Sequence, residues 1–228
     1  DKKPFTDIMG VYTNDSIQKY RNTTLKDHRF LNKVKVPPAY IDDIDSLPIP
    51  NREYIKNINY QSVVGVSSKL ATLISSRGCP YKCTFCTAPM FYQQRYKGRT
   101  PEKVVDEMEL LVNEYGAKLI AVDDENLTSD MKRIEEIMDV MMARKLKVRW
   151  YAQVGLSISR LNWTIIEKMK KTGFTELRLA LESGDAQMLR TMKKPLVLRQ
   201  ARDVVKWARE ADIRVISFLL MGMPGETL

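Results

Sequence analysis

Three cysteines carry the chemistry that this sequence suggests most directly. Cys79, Cys83 and Cys86 follow one another with the spacing C-x3-C-x2-C, and they are the only cysteines among the 228 residues. Three thiolates on one loop can bind three irons of a four-iron cluster. The fourth iron is then left open to bind a ligand and pass it an electron. The spacing therefore predicts an enzyme with a redox-active iron–sulfur cluster.

Other uses of the three thiols fit the sequence less well. A disulfide would leave one thiol unpaired and would close only a very short loop. A structural zinc site needs four ligands, and the single histidine, His28, lies in a polar stretch far upstream of the cysteines. A zinc site that includes His28 stays open as an alternative. Because an electron-transfer ferredoxin needs a fourth cysteine, iron with one open coordination site is the favoured interpretation.

From Leu70 onward, apolar segments of strand length alternate with amphipathic helical segments. Thr100, Ser129 and Asn162 are typical N-terminal capping residues and indicate where three helices begin. Alternation of this kind gives parallel strands joined by right-handed crossovers. The fold class is therefore α/β, and five strands predict a partial β/α barrel. The predicted strands are 70–75, 119–122, 148–154, 177–181 and 213–220.

Polar residues follow several of these strands, at the carboxyl ends where such folds bind ligands. The cysteine loop follows the first strand, so a cluster would lie at the same mouth. Asp123, Asp124 and Glu125 end the second strand, and three adjacent carboxylates must face water, a cation or hydrogen-bond donors. Glu182 follows an apolar run and is predicted at the mouth as well. The other candidate positions at strand tips are Gln153, Ser183 and Gly222.

The cysteine motif and its flanks resemble the radical S-adenosylmethionine (SAM) superfamily. The cysteines match that family in number, order and spacing, and the aromatic Phe85 precedes the third. The resemblance implies a partial (β/α)6 barrel and a [4Fe-4S] cluster whose open iron binds SAM. One electron then cleaves SAM to methionine and a 5′-deoxyadenosyl radical. The SAM contacts implied by the resemblance are Phe85 (through its backbone), Asp123, Asp124, Gln153, Glu182, Ser183 and Gly222.

Further phrases are similar to the cobalamin-dependent class of this superfamily. That class implies a Rossmann-like cobalamin-binding domain, which we expect before Asp1. Residues 1–69 are then an irregular linker, and residues 70–228 are the barrel, with its sixth strand expected beyond the C-terminus. The usual cobalamin-binding motif Asp-x-His-x-x-Gly is absent from the sequence. The phrases that carry the similarity are Leu47–Arg52, Ser76–Tyr81, Glu182–Gly184 and Met221–Thr227.

The same class implies a function and partners. The adenosyl radical is expected to abstract hydrogen from a small-molecule or lipid-like substrate, followed by cobalamin-dependent methyl transfer or related radical chemistry. A low-potential electron donor, a flavodoxin or a ferredoxin, is the implied redox partner. Two alternatives stay open. A methylthiotransferase that acts on tRNA or a ribosomal protein shares the Arg77–Tyr81 phrase, and a metal-stabilised binding module would have no open site and no catalysis.

The charge and hydropathy of the sequence limit the classes of partner that are expected. The formal net charge is +9, and the span from Arg77 to Lys103 holds six basic residues and one acidic residue. This basic loop suits an anionic ligand or partner, but no stripe or module typical of nucleic-acid binding is present. No membrane span is expected, because no apolar run has the length that one requires. Free thiols and the lack of an export signal favour the cytoplasm.

Overall fold

The fold is built on one parallel sheet. The computed structural model describes residues 41–58, 60 and 69–226. The strands in these ranges are β1 (Leu70–Leu73), β2 (Ser76–Arg77), β3 (Lys97–Gly98), β4 (Leu119–Val122), β5 (Arg149–Ala152), β6 (Phe174–Glu182) and β7 (Arg214–Leu219). Five of them pair in parallel in the order β1-β4-β5-β6-β7, while β2 and β3 form a short antiparallel ribbon. The described strands thus form the open five-stranded sheet expected of a partial barrel.

Helices connect consecutive parallel strands, as the sequence predicts. Buried residues of four of these helices join those of the sheet in one hydrophobic core. Within the described ranges, none of the helices has the length and apolar character needed to cross a membrane. The helices are α1 (Ala88–Tyr92), α2 (Pro101–Asn113), α3 (Met131–Ala143), α4 (Trp163–Lys171), α5 (Ala186–Thr191) and α6 (Leu198–Glu210).

Side-chain caps mark the start of α3, α4 and α5, whereas Thr100 precedes α2 as predicted but makes no capping hydrogen bond with its side chain. Asn162 caps α4 as predicted, and its side-chain oxygen accepts a hydrogen bond from the N–H of Ile165 at 3.0 Å. The cap predicted for α3, Ser129, is wrong. Asp130 holds that position, and its carboxylate accepts a hydrogen bond from the N–H of Arg133 at 3.1 Å. Ser129 instead ends a 3-10 turn, so two adjacent residues of similar capping tendency exchange roles.

Four of the five parallel strands differ in length from their predictions: β5 and β7 are shorter than predicted, and the differences in β1 and β6 have a visible structural reason. β1 ends at Leu73 instead of Ser75, because Ser75 turns away from the sheet to donate a hydrogen bond to Asp124. β6 begins at Phe174, earlier than predicted, because Phe174 already pairs with Trp150 of β5. The early end of β1 matters for the site, since the residues released from the sheet start the cysteine loop.

An aromatic pair packs β5 against β6 in the core. Trp150 is fully buried, and its ring meets that of Phe174 edge to face with the centroids 4.7 Å apart. Its indole N–H donates to the carbonyl oxygen of Thr172 at 3.1 Å, so the polar atom of this large side chain is satisfied. Other fully buried side chains of this core are Met108, Leu111, Ile120, Leu127, Ile134, Ile137, Met138 and Met141.

The segment before the sheet is attached to the barrel. One compact unit begins at Asp43 and includes both this segment and the sheet. The Arg52 guanidinium donates to the Glu107 carboxylate of α2 at 2.7 Å and to the carbonyl oxygen of Thr72 at 2.9 Å. The predicted extension up to residue 40, with His28 in it, lies outside the described residues.

Candidate active site

A buried carboxylate holds the start of the cysteine loop. Asp124 follows the end of β4 and is 2% exposed. One of its oxygens accepts hydrogen bonds from the backbone N–H groups of Ser75 (2.7 Å) and Ser76 (3.0 Å). The other oxygen accepts from their hydroxyl groups at 2.6 and 2.5 Å. Burial raises the pKa of Asp124, and these hydrogen bonds oppose that rise. Because protein donors fill its acceptor positions, the geometry favours a positioning role over the predicted contact with SAM.

We expect Asp124→Ala to lower the free energy of unfolding by about 3 kcal/mol, because it leaves buried donors unsatisfied, and to reduce iron binding. Asp124→Asn is the matched control, with an expected loss of less than about 1.5 kcal/mol. Its amide oxygen can accept from the two N–H groups, and its amide nitrogen can donate to the two serine hydroxyls. Chemical denaturation measures both losses. An alanine variant as stable as the asparagine variant would contradict this role.

The turn into the first cysteine depends on a glycine and a second carboxylate. Gly78 has φ of +86°, and a Cβ atom at this position would lie 2.1 Å from the carbonyl oxygen of Arg95. The N–H of Gly78 donates to Glu125 Oε2 at 2.9 Å, and the Tyr92 hydroxyl donates to Glu125 Oε1 at 2.6 Å. Glu125 therefore ties both ends of the cysteine segment to the tip of β4. The sequence places Glu125 among three carboxylates at a strand tip but does not indicate this role.

A substitution at Gly78 tests how far the cluster depends on this turn. We expect Gly78→Ala to lower the iron bound after reconstitution at least about tenfold, because both the positive φ and the overlap with Arg95 force the loop to shift. Gly116→Ala is the matched control, since Gly116 also has a positive φ, of +66°, but open space around its Cβ position. Iron per chain is the measurement, and equal iron content in the two variants would contradict the expectation.

The three thiols are free and lie in different environments. Cys79 and Cys83 are partly buried, whereas Cys86 is exposed. Burial raises the pKa of the Cys79 thiol, while hydrogen bonds from the backbone of Tyr81 and the side chain of Asn126 oppose the rise. The Asn126 amide nitrogen lies 3.8 Å from Cys79 Sγ. Burial also raises the pKa of Cys83, against the charge of a nearby lysine described below.

The donor set fits an iron–sulfur cluster. Cys79, Cys83 and Cys86 lie on one short loop, close enough for charge on one thiol to raise the pKa of its neighbours. In the described part of the chain, no three His, Cys, Asp or Glu side chains converge closely enough to hold a single metal ion. A four-iron cluster makes no such demand, because each cysteine binds a different iron. The three thiols could therefore hold a [4Fe-4S] cluster with one iron open.

A lysine faces the cysteine loop from the segment that follows α5. The Nζ atom of Lys194 lies 3.3 Å from Oε1 of Glu182 and 6.0 Å from the ring centroid of Phe85. Glu182 is 7% exposed and has φ of +67°, an unfavourable conformation for a residue other than glycine. In the predicted contact with SAM, the Glu182 carboxylate would therefore have two partners, SAM and Lys194. The sequence does not single out Lys194, because it is one of several basic residues in the segment that follows β6.

Two further predicted residues present polar atoms near the strand ends. Asp123 is exposed and borders a cavity of about 350 Å³ that Arg77 and Arg99 also line. Its N–H continues the sheet pattern by donating to the carbonyl oxygen of Leu73 at 2.8 Å. The side-chain oxygen of Gln153 is buried without a hydrogen-bond partner in the described structure. Such an acceptor suits a ligand that donates a hydrogen bond.

Ser183 and Gly222, the remaining predicted contacts, lie in turns after β6 and β7. The Ser183 hydroxyl accepts a hydrogen bond from the N–H of Asp185 at 3.1 Å, and Ser183 is 8% exposed. Gly222 has φ of +85°, and its N–H donates to the Glu226 carboxylate at 2.5 Å. The structure therefore places both residues at the carboxyl ends of their strands, where each first stabilises its own turn.

Comparison with known proteins extends these observations. The chain is 32% identical to cytidylyl-2-hydroxyethylphosphonate methyltransferase from Streptomyces wedmorensis, over 80% of this chain and 35% of the relative. It is 30% identical to the anaerobic magnesium-protoporphyrin IX monomethyl ester cyclase of Cereibacter sphaeroides, over 82% of this chain and 30% of the relative. The chain therefore spans about a third of the length of these relatives.

The fold is shared with solved structures as well. A structure of the radical S-adenosylmethionine methyltransferase TsrM from Kitasatospora setae, with cobalamin and a [4Fe-4S] cluster bound, superposes with a TM-score of 0.61. The two are 21% identical, and the match covers 71% of this chain and 32% of that one, so the likeness concerns the fold. Residues 73–228, which contain all three cysteines, match the Radical SAM superfamily. The chain belongs to the radical SAM superfamily.

Proposed function

We propose that this chain is the barrel of a cobalamin-dependent radical SAM enzyme. One observation carries the proposal: three free thiols share a loop that Asp124 and Glu125 hold at the carboxyl ends of parallel strands. In the proposal, Cys79, Cys83 and Cys86 bind a [4Fe-4S] cluster. When bound, the cluster supplies one electron that cleaves SAM to methionine and a 5′-deoxyadenosyl radical, and this radical abstracts hydrogen from the substrate.

The surrounding residues orient ligands in this proposal. The Asn126 amide lies where it can donate to the Cys79 thiolate. The exposed carboxylate of Asp123 suits the ammonium group of SAM, and the unpartnered side-chain oxygen of Gln153 suits a donor on the same ligand. The predicted contacts from Ser183 and Gly222, and from the backbone of Phe85, complete the proposed SAM site.

The cobalamin-dependent class is supported by two features. The Leu47–Arg52 phrase, which is similar to that class, is attached to the barrel by Arg52, so this segment belongs with the catalytic core. The relatives named above include a methyltransferase and a cyclase. We accordingly propose methyl transfer or related radical chemistry on a small-molecule or lipid-like substrate. A cytoplasmic location and a flavodoxin or ferredoxin as electron donor are part of the same proposal.

The test uses the longest natural form of the protein, reconstituted anaerobically with iron and sulfide and then incubated with SAM and dithionite. We expect about four irons per chain and the formation of 5′-deoxyadenosine, with methyl transfer only when cobalamin is added. A four-iron cluster that yields no 5′-deoxyadenosine would contradict the proposal. Two clusters per chain and thiomethylated tRNA would favour a methylthiotransferase, and zinc in place of iron would favour a binding module.

A further inference from the structure

Lys194 occupies an unusual position for a lysine. Its side chain is 13% exposed, and lysines are seldom buried to this extent unless they are paired. Its Nζ atom is paired with Oε1 of Glu182 at 3.3 Å, and it lies 6.0 Å from the ring centroid of Phe85, the residue between Thr84 and Cys86. A cation is thus held beside the cysteine loop by a strand tip and by the loop itself.

The backbone fixes this arrangement. The N–H of Thr84, in the middle of the cysteine loop, donates to the carbonyl oxygen of Met192 at 3.0 Å. Met192 is fully buried, and the N–H of Lys194 donates to the carbonyl oxygen of Leu189 at 2.9 Å. The segment after α5 and the cysteine loop are therefore joined, and the distance between Lys194 and the thiols is set by the fold.

The ion pair places charges of both signs beside the cysteine loop. Phe85, whose ring Lys194 approaches, is the immediate neighbour of Cys86 in the sequence. The carboxylate of Glu182 is held against the same ammonium group, and the two side chains are only 9% and 13% exposed. Because little solvent surrounds them, both charges act on any negative charge that develops at the loop.

We propose that Lys194 and Glu182 are positioning residues that set the reduction potential of the cluster bound by Cys79, Cys83 and Cys86. This inference rests on the proposed function. Reduction adds one electron, from a low-potential donor such as dithionite, to the oxidised cluster and breaks no bond. Because the reduced cluster is the more negative of the two forms, Lys194 stabilises it and Glu182 destabilises it.

The test is a potentiometric titration of the reconstituted protein without SAM, with the reduced cluster followed by electron paramagnetic resonance. We expect Lys194→Met to lower the ratio of reduced to oxidised cluster at a fixed potential on the order of tenfold, which corresponds to about 59 mV for one electron. Glu182→Gln is expected to raise that ratio. Lys194→Arg, which keeps the charge, should restore the wild-type ratio to within about twofold.

Lys193→Met is the matched control, because Lys193 is the adjacent, exposed lysine and its loss changes the net charge equally. We expect this variant to leave the ratio within about twofold of wild type, since solvent screens its charge. An intact cluster with equal ratios in Lys193→Met and Lys194→Met would overturn the inference alone, as would shifts of the same sign in Lys194→Met and Glu182→Gln. A wild-type protein that binds no cluster would overturn the proposed function as well.

Discussion

Cys83→Ala is expected to abolish assembly of the four-iron cluster and the cleavage of SAM, while the barrel stays folded. Each thiolate of such a site binds its own iron, so the loss of one removes a ligand that no other residue of the loop can replace. Cys83 lies on a partly exposed loop outside the hydrophobic core. Its backbone carbonyl oxygen accepts a hydrogen bond from the N–H of Cys86 at 3.2 Å, and alanine keeps that bond.

Three measurements test these effects. They are the iron and sulfide bound per chain, the 5′-deoxyadenosine formed with SAM and dithionite, and the thermal unfolding of the metal-free protein. Thr84→Ala is the matched control, because Thr84 is the exposed neighbour and contributes its backbone N–H to the contact with Met192. We expect the control to bind iron as the wild type does. If Cys83→Ala still cleaved SAM at the wild-type rate, the assignment of the cysteines to the cluster would be wrong.

The order of the structural elements could be predicted because it depends on local patterns. Apolar runs bounded by polar residues predicted all five parallel strands, and Asn162 marked the start of α4. The errors arise where two alternative partners can satisfy the same backbone group. Asp130 rather than Ser129 caps α3, and β1 ends early because Asp124 offers the N–H of Ser75 a carboxylate. A sequence does not reveal such competition between partners.

The candidate site could be predicted only in part. The three cysteines were identified because their spacing is a local pattern in the sequence. Asp124 and Glu125 were recognised as residues at a strand tip, but their donors in the loop after β1 are more than forty positions away in the sequence. Lys194 was missed because its importance depends on its distance from the thiols. These contacts exist only once the strands are aligned.

Glu107 is a buried charged residue whose burial the hydrophobic pattern of α2 does not predict. It lies on α2 beside the apolar positions Val104, Met108 and Leu111, where a glutamate is expected to reach solvent. In the structure Glu107 is 1% exposed, and its carboxylate is buried between two arginines. The partner before the sheet is Arg52, a residue of the Leu47–Arg52 phrase. The helix therefore buries a charge because a distant segment supplies its counter-ion.

We expect Glu107→Ala to lower the free energy of unfolding by about 3–5 kcal/mol, because it leaves the buried positive charges without their partner. Nη2 of Arg52 lies 2.7 Å from one carboxylate oxygen, and Nη1 of Arg99 lies 2.5 Å from the other. The two arginines are equally buried, with 13% of each side chain exposed. Chemical denaturation of the metal-free protein, with the midpoint and slope compared with wild type, measures the loss.

Glu109→Ala provides the control on the same helix. Glu109 pairs with Arg144 at 2.9 Å, but 32% of each side chain is exposed, so solvent weakens the interaction. Exposed ion pairs of this kind contribute about 0–1 kcal/mol, and we expect a loss in that range. Similar losses in the two variants would mean that the Arg52–Glu107–Arg99 contact does not stabilise the barrel. A large loss for Glu107 alone would show that this buried contact, which joins the segment before the sheet to α2, stabilises the barrel.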